Sequence, residues 1–395
     1  MNKLNKILSY VIVALLSSAL TLALLPTRGI APVNAGSSSG SEKLQELADY
    51  IDEYFVDEVD MTELEDAAAS AMVTATGDRW SYYVPADEYA SLVESSQNSY
   101  VGVGITITMA EDESGLEVVE VAEGGPADMA GVQVHDILIL VEGQNCAELG
   151  VDEARNLVRG AAGTDVKMTF KRDGKEIELS ITRKAVEVPV ATYQMLDSGY
   201  GLIEILNFNQ RCAQETIEAI MEVMASGAKG IIFDVRFNPG GSVAELIALL
   251  DYILPEGPLF RSESYDGRTS VDESDATHID IPMVVLVNGD SYSAAEFFAA
   301  ALREYDYAQI VGQQTSGKGH YQQTFRLSDG SAVAISTGKY YTPNGVSLEG
   351  VGITPDVIAD VDEETYKAIY FGDLSVEEDP QIQAAISALN STVQP

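Results

Sequence analysis

Between Tyr200 and Val287, short apolar runs alternate with helix-forming stretches, and this alternation constrains the fold more than any other feature of the chain. Tyr200–Leu206, Gly230–Val235 and Pro282–Val287 read as strands. Residues 213–226, 243–253 and 293–304 read as helices, the second stopping at Pro255. Further strands are expected near 308–311, 320–326 and 331–338. Strand–helix–strand succession predicts a largely parallel sheet with helices as crossovers, an α/β core over 188–360.

The rest of the 395 residues leaves room for two or three domains. The N-terminus carries Lys3 and Lys6, an apolar run Ile7–Leu25, then Pro26, Arg28 and the small-residue site Val33-Asn34-Ala35. Residues 1–35 therefore read as a signal peptide or, uncleaved, an anchor in the inner membrane. Either way the bulk is expected outside the cytoplasm, anchored to the cell membrane or secreted. Residues 36–41 form a linker; the G-x-S-x-G match at Gly36–Gly40 has no strand before it and carries no nucleophile. Residues 42–97 read as helices, with Leu44, Leu47, Ile51, Tyr54 and Phe55 at helical spacing, and Gly77–Tyr83 as a turn with aromatic anchors. From Val361 to residue 395 the chain reads as an acidic tail ending in a helix, Gln381–Leu389.

The net charge of −39 argues against nucleic acid as a partner and against docking on anionic lipid. Cys146 and Cys212 are too few for a disulfide framework and show no metal-ligand spacing; a single pairing stays open.

Residues 98–185 run as strand, strand, short helix (Gly125–Val132), strand, helix (Val151–Val158) and two closing strands. This resembles a PDZ domain; the other reading is a plain β-rich domain. The resemblance implies a peptide C-terminus adding as a strand beside Val103-Gly104-Ile105, its carboxylate meeting backbone N–H groups around Val101-Gly102. His135 stands where the module usually has glycine before aspartate. Arg159 is read either as a sensor of docked peptide or as a solvated helix end.

Ser293 lies where the strand ending at Val287 turns into an alanine-rich helix, so its hydroxyl can be exposed and free N–H groups can face negative charge. Serine needs a base. In a chain with three histidines, Lys318 in Gly317-Lys318-Gly319 can serve if neutral. From a free pKa of ~10.4, neutrality near pH 7 costs roughly 4–5 kcal/mol, which burial can supply. His320 is the rival base, and Ser291 in Gly289-Asp290-Ser291 the rival nucleophile of a GDS-type esterase; the latter lacks a C-terminal Asp-x-x-His.

Six motifs occur in order: Gly77–Tyr83, Tyr100–Gly104, Asp234-Val235-Arg236-Phe237-Asn238-Pro239-Gly240-Gly241, Ser291-Tyr292-Ser293-Ala294-Ala295-Glu296, Gly317–Gln323 and Gly352–Asp356. Together they resemble the carboxy-terminal processing proteases, PDZ-containing Ser-Lys peptidases. The resemblance implies a core of crotonase-like ββα units, with Ser293 as nucleophile and Lys318 as base. It further implies Gln322 orienting the lysine across one strand face, and the N–H groups of Gly240 and Ala294 as an oxyanion hole. Glu304 falls where some members carry a supporting acid. Ala295 replaces the motif's last serine, and Tyr292 replaces a small residue and narrows the cleft. Implied are protein C-termini as substrate and no metal or organic cofactor; homodimerisation through the N-terminal helices stays open. The competing reading is an inactive PDZ-bearing scaffold.

Overall fold

A computed structural model describes residues 40–393, so the expected targeting segment lies outside the described residues. The chain divides into two compact units, Met1–Ala67 and Ala68–Pro395. The first holds the helix Gly40–Tyr54 and the start of Met61–Thr74, with Leu44, Leu47, Tyr54 and Phe55 exposed. Among the described residues no helix is long and apolar enough to cross a membrane.

Within the second unit, six strands form the central sheet in the order 191–195, 201–205, 231–234, 283–287, 308–312 and 357–358. All neighbours run parallel except the first pair. Side chains alternate across it, as pleating requires. Ile231, Phe233, Met283, Val285 and Val287 face the helices Cys212–Ala225, Val243–Ile253 and Ala294–Glu304. Ile232, Val284, Leu286 and Val311 face the helix Pro380–Val393 through Ile382, Ala385 and Leu389. A sheet covered on both faces accounts for the unbroken apolar strands.

Three parts of the sequence reading are corrected. The strands His320–Arg326 and Ala332–Tyr341 belong to a second, antiparallel sheet, with Gly257–Ser264 and Thr269–Ser274. That last hairpin is polar apart from a few residues such as the buried Leu259 and Phe260, and turns at Tyr265-Asp266-Gly267, so its apolar signal was too short to read as a strand. Tyr82 and Tyr83, expected within a turn, form with Val84 a strand paired with Ala332–Ala334. The acidic tail holds a further helix, Glu363–Phe371, and its last helix is core.

The module over 98–187 has a sheet in the order 105–109, 116–121, 137–141, 165–172 and 175–182, with helix Cys146–Val158 packed on it. His135 has φ +71°, the left-handed conformation that glycine enters freely, which explains the usual glycine there. Cys146 is buried in this module's core and Cys212 in the other; both are free, and burial pushes their thiols up to about 11 and about 12.

Candidate active site

Three loops leave the carboxyl ends of adjacent parallel strands, where open α/β sheets place their ligands. They are the Asn238–Gly241 turn after strand 231–234, the Asn288–Ser293 turn after 283–287, and the Gln313–Gly319 segment after 308–312.

Ser293 ends its turn at φ +58°, ψ −126°, a strained backbone directly before the helix. The side chain is buried, and Oγ hydrogen-bonds with Tyr340 Oη at 3.2 Å rather than with a base. Burial pushes the Tyr340 phenol up to about 12, so it is neutral. Ser291, the rival nucleophile, is wholly buried and donates to Val235 O at 2.7 Å.

Glu296 joins the two halves of the site. Its wholly buried carboxylate accepts at Oε2 from the N–H of Ser293 (3.0 Å) and of Lys318 (2.8 Å). At Oε1 it accepts from Thr315 Oγ1 (2.5 Å) and Gly317 N (2.8 Å). Burial pushes this carboxyl up, and these donors pull it back. The sequence reading assigned Glu296 no role, because a glutamate in a helix's first turn looks like an ordinary capping residue.

Lys318 is half-buried. Burial pulls its amine down from the usual lysine value, against the carboxylates of Asp78, Glu349 and Glu296. Nζ lies 4.9 Å from the centre of the Trp80 ring and makes no hydrogen bond to Ser293. The Gln313–Gly319 loop is clamped from the Gly77–Tyr83 segment, where Arg79 donates to the carbonyls of Ser316 (3.1 Å) and Gly317 (2.7 Å). Glu349 accepts from Gly319 N at 2.7 Å and from Trp80 Nε1 at 3.1 Å. That clamp gives the aromatic motif its physical reason.

Two expected contacts are not made. Gln322 Nε2 donates to Ser336 Oγ (2.9 Å) and His320 O (3.2 Å), not toward Lys318. Strand pairing begins only at His320 and its register shifts between Tyr321 and Gln322, so Lys318 and Gln322 do not share one regular strand face. The Gly240 N–H donates to Asn238 Oδ1 at 2.8 Å, while among the described residues none accepts from the N–H of Ala294. Gly240 itself is required: at φ +87°, an added Cβ would lie 2.7 Å from Ser293 Cβ and 2.8 Å from Ala294 N. Glu304 is a structural tie, accepting from Thr342 Oγ1 (2.6 Å) and Asn344 N (2.8 Å). His320 lies 3.7 Å from Glu349 and makes no hydrogen bond to Ser293. A cavity of about 670 Å³ opens beside this strand, lined by Asp78, His320, Ser336 and Glu349 among others; neither Ser293 nor Lys318 lines it.

In the smaller module, a groove of about 280 Å³ lies between the edge strand Ile105–Met109 and the helix Cys146–Val158. Gly102, Val103, Gly104 and Ile105 line it with Val151, Val158, Arg155 and Arg159. Val101 does not line it; with Gly102 it sits in a strand paired to Lys184–Glu187.

The sequence profile of peptidase family S41 matches residues 199–359, and that of the PDZ domain matches residues 117–172. The carboxy-terminal processing protease CtpA of Bacillus subtilis is 32% identical over 355 residues, covering 89% of this chain and 76% of that protein. The chain belongs to peptidase family S41. The carboxyl-terminal-processing protease of Synechocystis sp. is 31% identical, covering 78% of this S41 peptidase and 72% of its own length. The solved photosystem II D1 C-terminal processing protease is 26% identical, with a TM-score of 0.46 over 82% of this chain and 87% of that one. Membership makes the chain a serine-type peptidase with a PDZ domain, and its substrates peptides.

Proposed function

We propose that the chain is an exported serine endopeptidase that cleaves proteins near their C-termini with a Ser293–Lys318 dyad. The observation that supports this best is Glu296, one carboxylate holding the backbones of nucleophile and base together. In this reading a substrate's C-terminal end adds as a strand to Ile105–Met109 in the PDZ groove. The scissile peptide enters beside Ser293. The neutral Lys318 amine takes the Oγ proton as Oγ attacks the carbonyl carbon. The oxyanion meets the free Ala294 N–H at the helix N-terminus, joined by the Gly240 N–H once it leaves Asn238. The C–N bond breaks as Lys318 returns the proton to the leaving amine, and water then hydrolyses the acyl-enzyme. Gln322 would steady Lys318 only after parting from Ser336.

Rotation of the Ser293 hydroxyl away from Tyr340 and extension of Lys318 toward it precede this chemistry. The apolar start of the chain, Ile7–Leu25, supports placement outside the cytoplasm, anchored or secreted. The exposed stripe Leu44, Leu47, Tyr54 is the surface such a protein would use to self-associate.

Cleavage of casein, an unfolded protein, tests the reading. Ser293→Ala is expected to lower kcat/KM by at least about 10³-fold. No turnover by either protein leaves the inactive PDZ scaffold, and equal turnover by both means that Ser293 is not the nucleophile.

A further inference from the structure

Lys318 Nζ rests against two rings, not one. It lies 4.9 Å from the centre of Trp80 and 5.9 Å from that of Tyr292. The rings stack, with centroids 6.1 Å apart and planes 25° apart. Among the described residues no group hydrogen-bonds with Nζ or pairs with it within ion-pair distance. Tyr292 is also the position where the nucleophile motif departs from its usual small residue.

We propose that Tyr292, with Trp80, forms an aromatic seat that holds the protonated Lys318 off Ser293, making Tyr292 a positioning residue that sets the pH at which the dyad engages. The inference rests on the Ser–Lys reading above. Ring faces attract an ammonium and not a neutral amine, so the seat releases Lys318 when its proton leaves. The Tyr292 backbone and the Trp80 indole are both held. The Tyr292 N–H donates to Asn238 O at 3.1 Å, and its carbonyl accepts from Ala295 N at 3.3 Å. Trp80 is pinned through Nε1 to Glu349.

The other charges around the lysine are fixed by their own bonds. Asp78 accepts from Ser81 Oγ and Trp80 N, Glu349 from Gly319 N and Trp80 Nε1, and Glu296 from four donors. The Arg79 guanidinium lies 4.1 Å from the Trp80 ring centre and competes for that indole. His320 faces Glu349 at 3.7 Å. Burial raises the Tyr292 phenol, so it is neutral and acts through its ring alone. Its hydroxyl makes no hydrogen bond among the described residues. Tyr292 can therefore be changed without breaking the clamp on the base loop, which Trp80 cannot.

The test uses the full chain with Ser293, Lys318 and Trp80 intact. kcat/KM on casein, and the rate of Ser293 labelling by a fluorophosphonate, are measured from about pH 6 to about pH 10. Tyr292→Leu keeps the lysine covered and removes the π face. Its acid limb is expected about half a pH unit lower than wild type in both readouts, about a threefold gain in rate on that limb. Tyr292→Phe keeps the ring and is expected to restore the wild-type limb; Tyr292→Met repeats the leucine test should that variant fail to fold. A leucine or methionine limb unmoved or moved upward, or a phenylalanine limb moved as far as leucine, overturns the seat. Failure of wild type to cleave casein or take the label is a different result, and sinks the dyad reading itself.

Discussion

Glu296 receives four hydrogen bonds on one buried carboxylate, and three come from the backbone N–H groups of Ser293, Gly317 and Lys318. Glutamine is nearly the same shape but presents one acceptor oxygen and an NH₂ group. Two of the four donors would then face another donor. Glu296→Gln is therefore expected to lower stability by about 2–4 kcal/mol in urea unfolding and casein turnover by at least about 100-fold. Wild-type values for both would mean that the bridge does not hold the site. At this scale the sequence pointed to candidate residues and was silent about their supports. Ser293 and Lys318 stand in motifs, whereas Tyr340, whose hydroxyl meets Ser293, comes from a strand remote in sequence and reads as a core aromatic.

Among the elements, the helix Pro380–Val393 shows what a charged tail can hide. Arg236, in the turn after strand 231–234, is almost wholly buried. It pairs with Asp234 at the end of that strand and with Asp379 at the head of the helix Pro380–Val393, at 2.8 Å, and also donates to Gln381. With Asp379 gone, Asp234 still balances the guanidinium, so what is lost is one charge-assisted hydrogen bond and the Asp379 cap on the N–H groups of Gln381 and Ile382. Asp379→Ala is expected to cost about 2–4 kcal/mol in urea unfolding. A loss below about 1 kcal/mol would show that Asp234 alone satisfies the guanidinium.

The same contrast explains which elements were legible. Strands 201–205, 231–234 and 283–287 are apolar because helices cover both faces, and the helix 294–304 is alanine-rich because its first nine residues are buried. The hairpin 257–274 and the helix 363–371 carry charges on exposed faces and blend with loops. The register shift at Tyr321/Gln322 depends on pairing with a strand ten or more residues on, which alternation along one strand does not encode.

For the whole molecule, 62 acidic against 23 basic residues make a strongly anionic surface, and the PDZ groove is a local exception with Arg155 and Arg159 on its wall. The order of motifs along the chain becomes, in three dimensions, three loops at the carboxyl ends of neighbouring parallel strands, where open α/β sheets place their ligands. The resting side chains were not readable, since Ser293 meets Tyr340 and Lys318 meets two rings. The decisive question is whether the Lys318 amine activates Ser293. Replacing it by methionine keeps the length and apolar stem and removes the amine, and casein hydrolysis is compared with wild type at matched thermal melting. Turnover is expected to fall by at least about 10³-fold with the melt unchanged; hydrolysis at the wild-type rate would contradict the dyad outright.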